Sequence, residues 1–152
     1  MSEEEREEED KEELEKEEVK EIEEEKITEE EEEVSTVKPG LSPKQIAILH
    51  YKLLMENNQE EWIKTLKKEL RINAKDPSSS PGFWWLTGRR CVTKHKYSYT
   101  FRHEETTKEN YVKFFFNRLD KDGKPAMTGQ VPIHVIKDEE SDGEWRIDTA
   151  SY

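Results

Sequence analysis

Four histidines and one cysteine are the side chains best suited to metal or nucleophilic chemistry, so their spacing decides which reactions are open. From Cys91 to His103 the odd positions carry His95, Tyr97, Tyr99, Phe101 and His103, and the even positions from Lys94 to Arg102 are polar or charged. A strand of period two would put the aromatics and both histidines on one face. His95 and His103 would then stand about 27 Å apart, at roughly 3.4 Å per residue, too far to share an ion. His134 lies between Ile133 and Val135 and is expected to face away from them. One Cys and scattered His make no zinc spacing, so neither a metal nor another cofactor is expected. No Gly-rich phosphate loop, nucleophile elbow or paired-carboxylate motif is present. Arg89, Arg90, Lys94, Lys96 and Arg102, with Lys64, Lys67, Lys68 and Arg71, are interleaved with Phe83, Trp84, Trp85 and Tyr97. That combination suits single-stranded nucleic acid. The modest charge of the surrounding chain argues against it.

That charge is divided unevenly. Residues 1–33 hold 21 acidic and five basic residues, a net of −16, while the whole chain is −12, which leaves +4 for residues 34–152. The few apolar side chains of the acidic segment, Leu14, Val19, Ile22 and Ile27 among them, cannot offset the entropy of ordering it. Residues 1–40 are therefore read as a disordered acidic tail and linker, and 41–152 as one domain, a size that supports a single core. No apolar leader or membrane-length apolar run occurs, and the lone Cys91 excludes an intrachain disulfide, so a cytoplasmic protein without membrane contact is expected.

The elements that must position these side chains are legible in part. Ser42-Pro43-Lys44-Gln45 has the pattern of a capping box with proline at the first helical position. Ile46, Leu49, His50, Leu53 and Leu54 continue it as a helical stripe, widened by Tyr51 and Met55. Asn58 and Glu61 open a second helix whose buried face is Trp62, Ile63, Leu66 and Leu70. Asn73 to Gly82 reads as a loop, Phe83 to Thr87 as a short strand or apolar turn, and Gly88-Arg89-Arg90 as a break. The strand over 91–103 follows, then a polar connection over 104–110. Tyr111–Leu119, Met127–Lys137 and Glu144–Ser151 read as an antiparallel meander joined at Asp120–Gly123 and Asp138–Gly143. Pro132 cannot donate to a ladder and predicts a bulge or an edge position.

Two amphipathic helices, a loop and a long antiparallel sheet ending in Gly143-Glu144-Trp145-Arg146-Ile147-Asp148 resemble the nuclear transport factor 2-like superfamily, the cystatin-like α+β cone. Tyr51 in the first helix and the Asn57-Asn58 junction leading to Trp62 carry the resemblance further. It spans Leu41 to Tyr152. The third helix usual in that superfamily has no counterpart in the pattern beyond a short turn over 76–85. The resemblance implies helices packed on a curved sheet that encloses a conical pocket, here lined by Tyr51, Met55, Trp62, Trp84, Trp85, His95, Tyr97 and Tyr99. It includes cyclases and isomerases as well as non-catalytic binding and dimerising domains, so fold alone does not choose.

In an enzyme of that type Tyr51 would donate to an oxyanion, and His95 or Asp148 would move the proton. The plainer reading makes Tyr51 a core residue and pairs Asp148 with Arg146 at the surface, with Trp145 and Ile147 on the inner face. No catalytic residue is assigned on this basis. The expectation is a non-catalytic domain that binds a small apolar ligand in the pocket, or a protein partner on the sheet. A homodimer through the sheet is expected, because Phe114 and Phe116 occupy one face of their strand while Tyr111, Phe115 and Leu119 occupy the other. The alternatives are a cofactor-independent cyclase or isomerase and a nucleic-acid-associated regulator.

Overall fold

Residues 34–152 are described by the structure, a computed structural model. The acidic tail expected over 1–33 lies outside the described residues. The domain is α+β, with four helices preceding a four-stranded antiparallel sheet in the order β1-β2-β3-β4.

Helix α1, Pro43–Met55, forms as its sequence dictates. The Ser42 hydroxyl accepts from Gln45 N and the Gln45 side chain accepts from Ser42 N, which satisfies two end donors reciprocally. Its other end is closed by Arg89, whose Nη1 donates to the Leu54 carbonyl at 2.7 Å. The residues before it are not a free linker. Val37 N donates to Glu61 Oε2 at 3.2 Å and Gly40 N to Glu144 Oε2 at 3.1 Å.

The second helix is shorter than its apolar stripe predicts. Helix α2, Gln59–Lys64, ends at Thr65, and α3, Lys68–Arg71, is a separate turn. Between them the chain joins the edge of the sheet: Ile147 N donates to the Thr65 carbonyl at 2.8 Å and Lys67 N to the Ile147 carbonyl at 3.0 Å. Leu66 is buried by this parallel bridge and not by helix packing.

The stretch read as a loop, an apolar turn and the start of a strand is helix α4, Ser80–Thr93. Ser79 caps it by accepting from Gly82 N at 3.1 Å, with Pro81 in the first turn, the same signal that starts α1. Gly88 is no breaker. A Cβ there would stand 2.8 Å from Leu54 Cδ1, so the glycine lets α4 lie close against α1.

Strand β1 is Ser98–Lys108, so His95 and Tyr97 precede it. Register shifts between Phe101 and His103 and between Glu104 and Thr106 interrupt its alternation. Tyr99, ahead of both shifts, faces the core, while the first shift puts His103 opposite Phe115 on the other side. The expected polar connection shrinks to Glu109-Asn110, because Lys108 already pairs with Tyr111. Strands β2, Tyr111–Leu119, β3, Pro125–Asp138, and β4, Glu144–Ala150, follow the predicted meander. Pro132 lies within β3 just past Ile133↔Ala150; its carbonyl still accepts from Ser151 N at 3.1 Å, and the Ser151 carbonyl opposite the missing donor takes the Tyr51 hydroxyl instead.

Helix α1 packs across all four strands. Phe114 and Phe116, 2% and 1% exposed, meet it with Ile133, Val135 and Ile147. Tyr111, Lys113, Phe115, Asn117 and Leu119 alternate onto the opposite face and are half-buried.

Candidate functional site

Three places combine chemistry-bearing side chains: the aromatic interior under α1, the outer face of the sheet, and a groove beside the β3–β4 turn.

The interior under α1, where the resemblance implies a pocket, is crossed by aromatic contacts. The Tyr51 ring lies 4.5 Å from Phe116 and 5.0 Å from Tyr99, and the Trp62 ring 5.1 Å from both His50 and Trp85. Tyr51, Trp62, Trp85 and Tyr99 are buried, Met55, Trp84 and Tyr97 half-buried, and His95 exposed. His95 stacks on Tyr97, apart from the Tyr51 cluster, because α4 carries the chain on before β1 begins. The Tyr51 hydroxyl donates to the Ser151 carbonyl at 2.9 Å, so it is committed to holding the end of β4. Burial pushes the Tyr51, Tyr99 and Tyr152 phenols up, and none ionises near neutral pH.

Sequence reasoning treated His50 as one residue of a stripe, yet it is the most tightly bound titratable group of the interior. Its Nδ1 is 2.8 Å from Thr65 Oγ1, and its Nε2 is 2.8 Å from the Tyr152 hydroxyl. Thr65 donates its only hydroxyl proton to the Trp62 carbonyl at 2.6 Å, so it must accept from His50. That puts the proton on Nδ1 and leaves Nε2 as the acceptor for Tyr152. Burial lowers the His50 pKa to about 3, which keeps the ring neutral.

Asp148 departs from its expected partner. A register shift between His134 and Val135 makes it an extra residue in β4, so it does not share a face with Arg146. It accepts from Lys67 Nζ at 2.6 Å, and this bond raises the Lys67 pKa. Arg146 is instead buried. Of the two tryptophans expected in the core, Trp62 is fully buried, whereas Trp145 is half-buried beneath Lys137. Tyr51, His95 and Asp148 thus have three separate sets of partners, and no pair of them shares a proton path.

No protein-family model matches the chain, and neither a curated protein nor a solved structure matches it. The local geometry must therefore carry the functional reading. Among the described residues no group of three His, Cys, Asp or Glu is placed to hold a metal, and no helix is long and apolar enough to cross a membrane.

The outer face of the sheet is aromatic and polar at once. Phe115 pairs with Pro132, and Tyr111 with Ile136. The Tyr111 hydroxyl is hydrogen-bonded to His134 Nδ1, and burial is the main cause of the lowered His134 pKa. His103 packs on the Phe115 ring at 5.3 Å, and Lys113 lies 4.9 Å above the same ring while pairing with Glu105. The basic residues and aromatics that might have faced nucleic acid are dispersed: Arg89 caps α1, Trp85 is in the core, and Phe83 points to solvent.

The groove, of about 570 Å³, lies between Val37–Pro39, α3 and the β3–β4 turn. That turn is shaped by Asp138, whose side chain accepts from Lys68 N, Glu140 N and the Ser141 hydroxyl. Burial pushes the Asp138 carboxyl up, but these donors outweigh it and hold the pKa below its ordinary value. Arg146, read from the sequence as an outward charge, lines the groove and was missed as a site residue. The available signal was an arginine flanked by Trp145 and Ile147.

Proposed function

We propose that this chain is a non-catalytic binding domain that works through the outer face of its sheet, pairing first with a second copy of itself. The observation that carries this reading is the two-sided burial of β2. Helix α1 covers the Phe114 and Phe116 side, while Tyr111, Phe115 and Leu119 share the other side with Pro132 and Ile136. Aromatic rings interleaved with polar groups are the usual composition of a protein interface. A sheet face related to its copy by a two-fold axis presents the same rows to itself. A small apolar ligand would have to part Tyr51 from Tyr99 and Phe116, or Trp62 from His50 and Trp85, so the sheet face is the better-supported site. The same contacts favour the binding reading over the cyclase and isomerase alternative, because the Tyr51 hydroxyl is already used by the Ser151 carbonyl.

The nuclear transport factor 2-like cone belongs to this proposal. Its support is the order of elements: α4 stands where the resemblance calls for a third helix, and the meander ends in a Trp-containing strand. A cytoplasmic location, with a disordered acidic tail preceding the domain, completes the reading. Light scattering on the full chain should give about twice the 18.1 kDa chain mass. Phe115→Glu should give a folded monomer with unchanged circular dichroism. A wild-type chain that stays monomeric at high concentration would overturn the proposal.

A further inference from the structure

We propose that the groove beside the β3–β4 turn is an oxyanion site, in which the guanidinium groups of Arg146 and Arg71 take the phosphate group of a small ligand. The domain buries two arginines, Arg118 and Arg146. Arg118 uses all three of its nitrogens: Nε donates to the Ala126 carbonyl at 3.1 Å, Nη1 to the Tyr152 carbonyl at 3.0 Å and Nη2 to Thr128 Oγ1 at 3.3 Å. Arg146 is as deeply buried, at 7% exposure, yet only Nη1 is used, donating to the Trp145 carbonyl at 2.8 Å. Its Nε is buried with no partner. A buried guanidinium with idle donors is costly unless an acceptor meets it.

No described carboxylate fills that role. Neither Arg146 nor Arg71 takes part in an ion pair among the described residues. Asp138 is occupied by its three donors, and Glu144 accepts from Gly40 N. Arg71 donates from Nη2 to Ser141 Oγ at 2.9 Å, and among the described residues its other nitrogens on the same groove wall have no acceptor. Lys38 and Lys68 line the groove as well, so its four cations outnumber its carboxylates Glu140, Asp142 and Glu144. Burial lowers the Arg146 pKa more than the nearby charges of Glu144 and Asp138 raise it, and Arg71 adds to the lowering; an anion between the two guanidinium groups would offset both burial and repulsion.

A phosphate fits better than a carboxylate. It carries up to two negative charges and enough oxygens to face two guanidinium forks, whereas a carboxylate saturates one. At about 570 Å³ the groove has room for more than the bare ion, which points to the phosphate end of a larger molecule.

The test follows the Arg146 Nε–H signal in a ¹⁵N–¹H spectrum of the full chain. The signal is assigned by its disappearance in Arg146→Lys. Inorganic phosphate is titrated in at constant ionic strength, and acetate in a parallel arm. Phosphate should move the signal saturably, and acetate should move it weakly. Arg71→Gln should weaken the phosphate midpoint about tenfold, the effect of losing one charge-assisted contact. Lys121→Gln, on the distant β2–β3 turn, should leave it unchanged. A signal that does not move, an equal response to acetate, or an unchanged midpoint in Arg71→Gln would each overturn the proposal.

Discussion

His50 should make this domain acid-sensitive in a way that one substitution can isolate. The folded chain holds the imidazole neutral, with a pKa of about 3 against an ordinary 6.5. Between those values the unfolded chain binds a proton that the folded chain refuses. Stability therefore rises with pH across that window and is lost as pH falls through it. For a group shifted that far, going from about pH 7 to about pH 5 should remove ~2 kcal/mol of unfolding free energy. The structure gives the reason: a second proton on Nε2 would displace the hydrogen bond from Tyr152 and place an unpaired charge among Trp62, Tyr51 and Tyr152. Carboxylates act in the same direction. The hydrogen bond from Lys64 is the main cause of the lowered Glu61 pKa, and Asp138 is also held low, so both lose stabilisation on protonation. The decisive quantity is therefore a difference of differences. Urea melts of wild type and His50→Gln at several pH values should show a slope in the wild type that exceeds the variant's by about one proton near pH 5. The variant is expected to be less stable at neutral pH and to close the gap as pH falls. Parallel slopes would mean that the ring is protonated in the fold or solvated, and the tautomer deduced from Thr65 would be wrong.

Other consequences are shorter. Trp62→Ala should cost ~3–5 kcal/mol, as for a large side chain removed from a full core, and half-buried Trp145→Ala clearly less, both read from denaturant midpoints. Equal losses would contradict the placement of Trp145. Gly82→Ala would set a Cβ 1.9 Å from the Asp76 carbonyl oxygen, so the start of α4 must shift, at a cost of about 1–3 kcal/mol. A neutral or stabilising result would mean that the turn before α4 is loose. Phe114→Glu should prevent folding outright, since its ring is in the core, whereas Phe115→Glu should act on chain mass alone; solubility and circular dichroism separate the two.

The parts of the fold written in local chemistry were legible. Capping box and proline fix the start of α1, and Asp-rich turns with Gly123 and Gly143 at positive φ fix the meander. The parts that failed depend on contacts distant in sequence. Trp62, Ile63, Leu66 and Leu70 keep helical spacing, yet Leu66 leaves the helix because the edge of β4 offers it a ladder partner. Gly88 looks like a break until Leu54 is seen against it, and the Ser79 cap before Pro81 is a weaker signal than Ser42, with Gly82 where Gln45 completes the capping box of α1. The alternation from Cys91 to His103 looked like one strand because a helix and a strand sharing aromatics can imitate period two over a short window.

The candidate sites were less legible than the fold, for a physical reason. A side chain's chemistry depends on which partners it already has, and bulges decide that after the pattern has been set. One extra residue at Asp148 gives it to Lys67 and removes it from Arg146. Arg146 is then left with an idle Nε beside Arg71. The same reasoning runs in reverse for Tyr51, which looked available in sequence and is spent on the Ser151 carbonyl. Trp62 Nε1 and Tyr99 Oη in the interior also lack a hydrogen-bond partner, but they are enclosed by aromatic rings, whereas Arg146 lines a groove. The proposed binding places, the outer sheet face and that groove, can be reached without first unmaking the core.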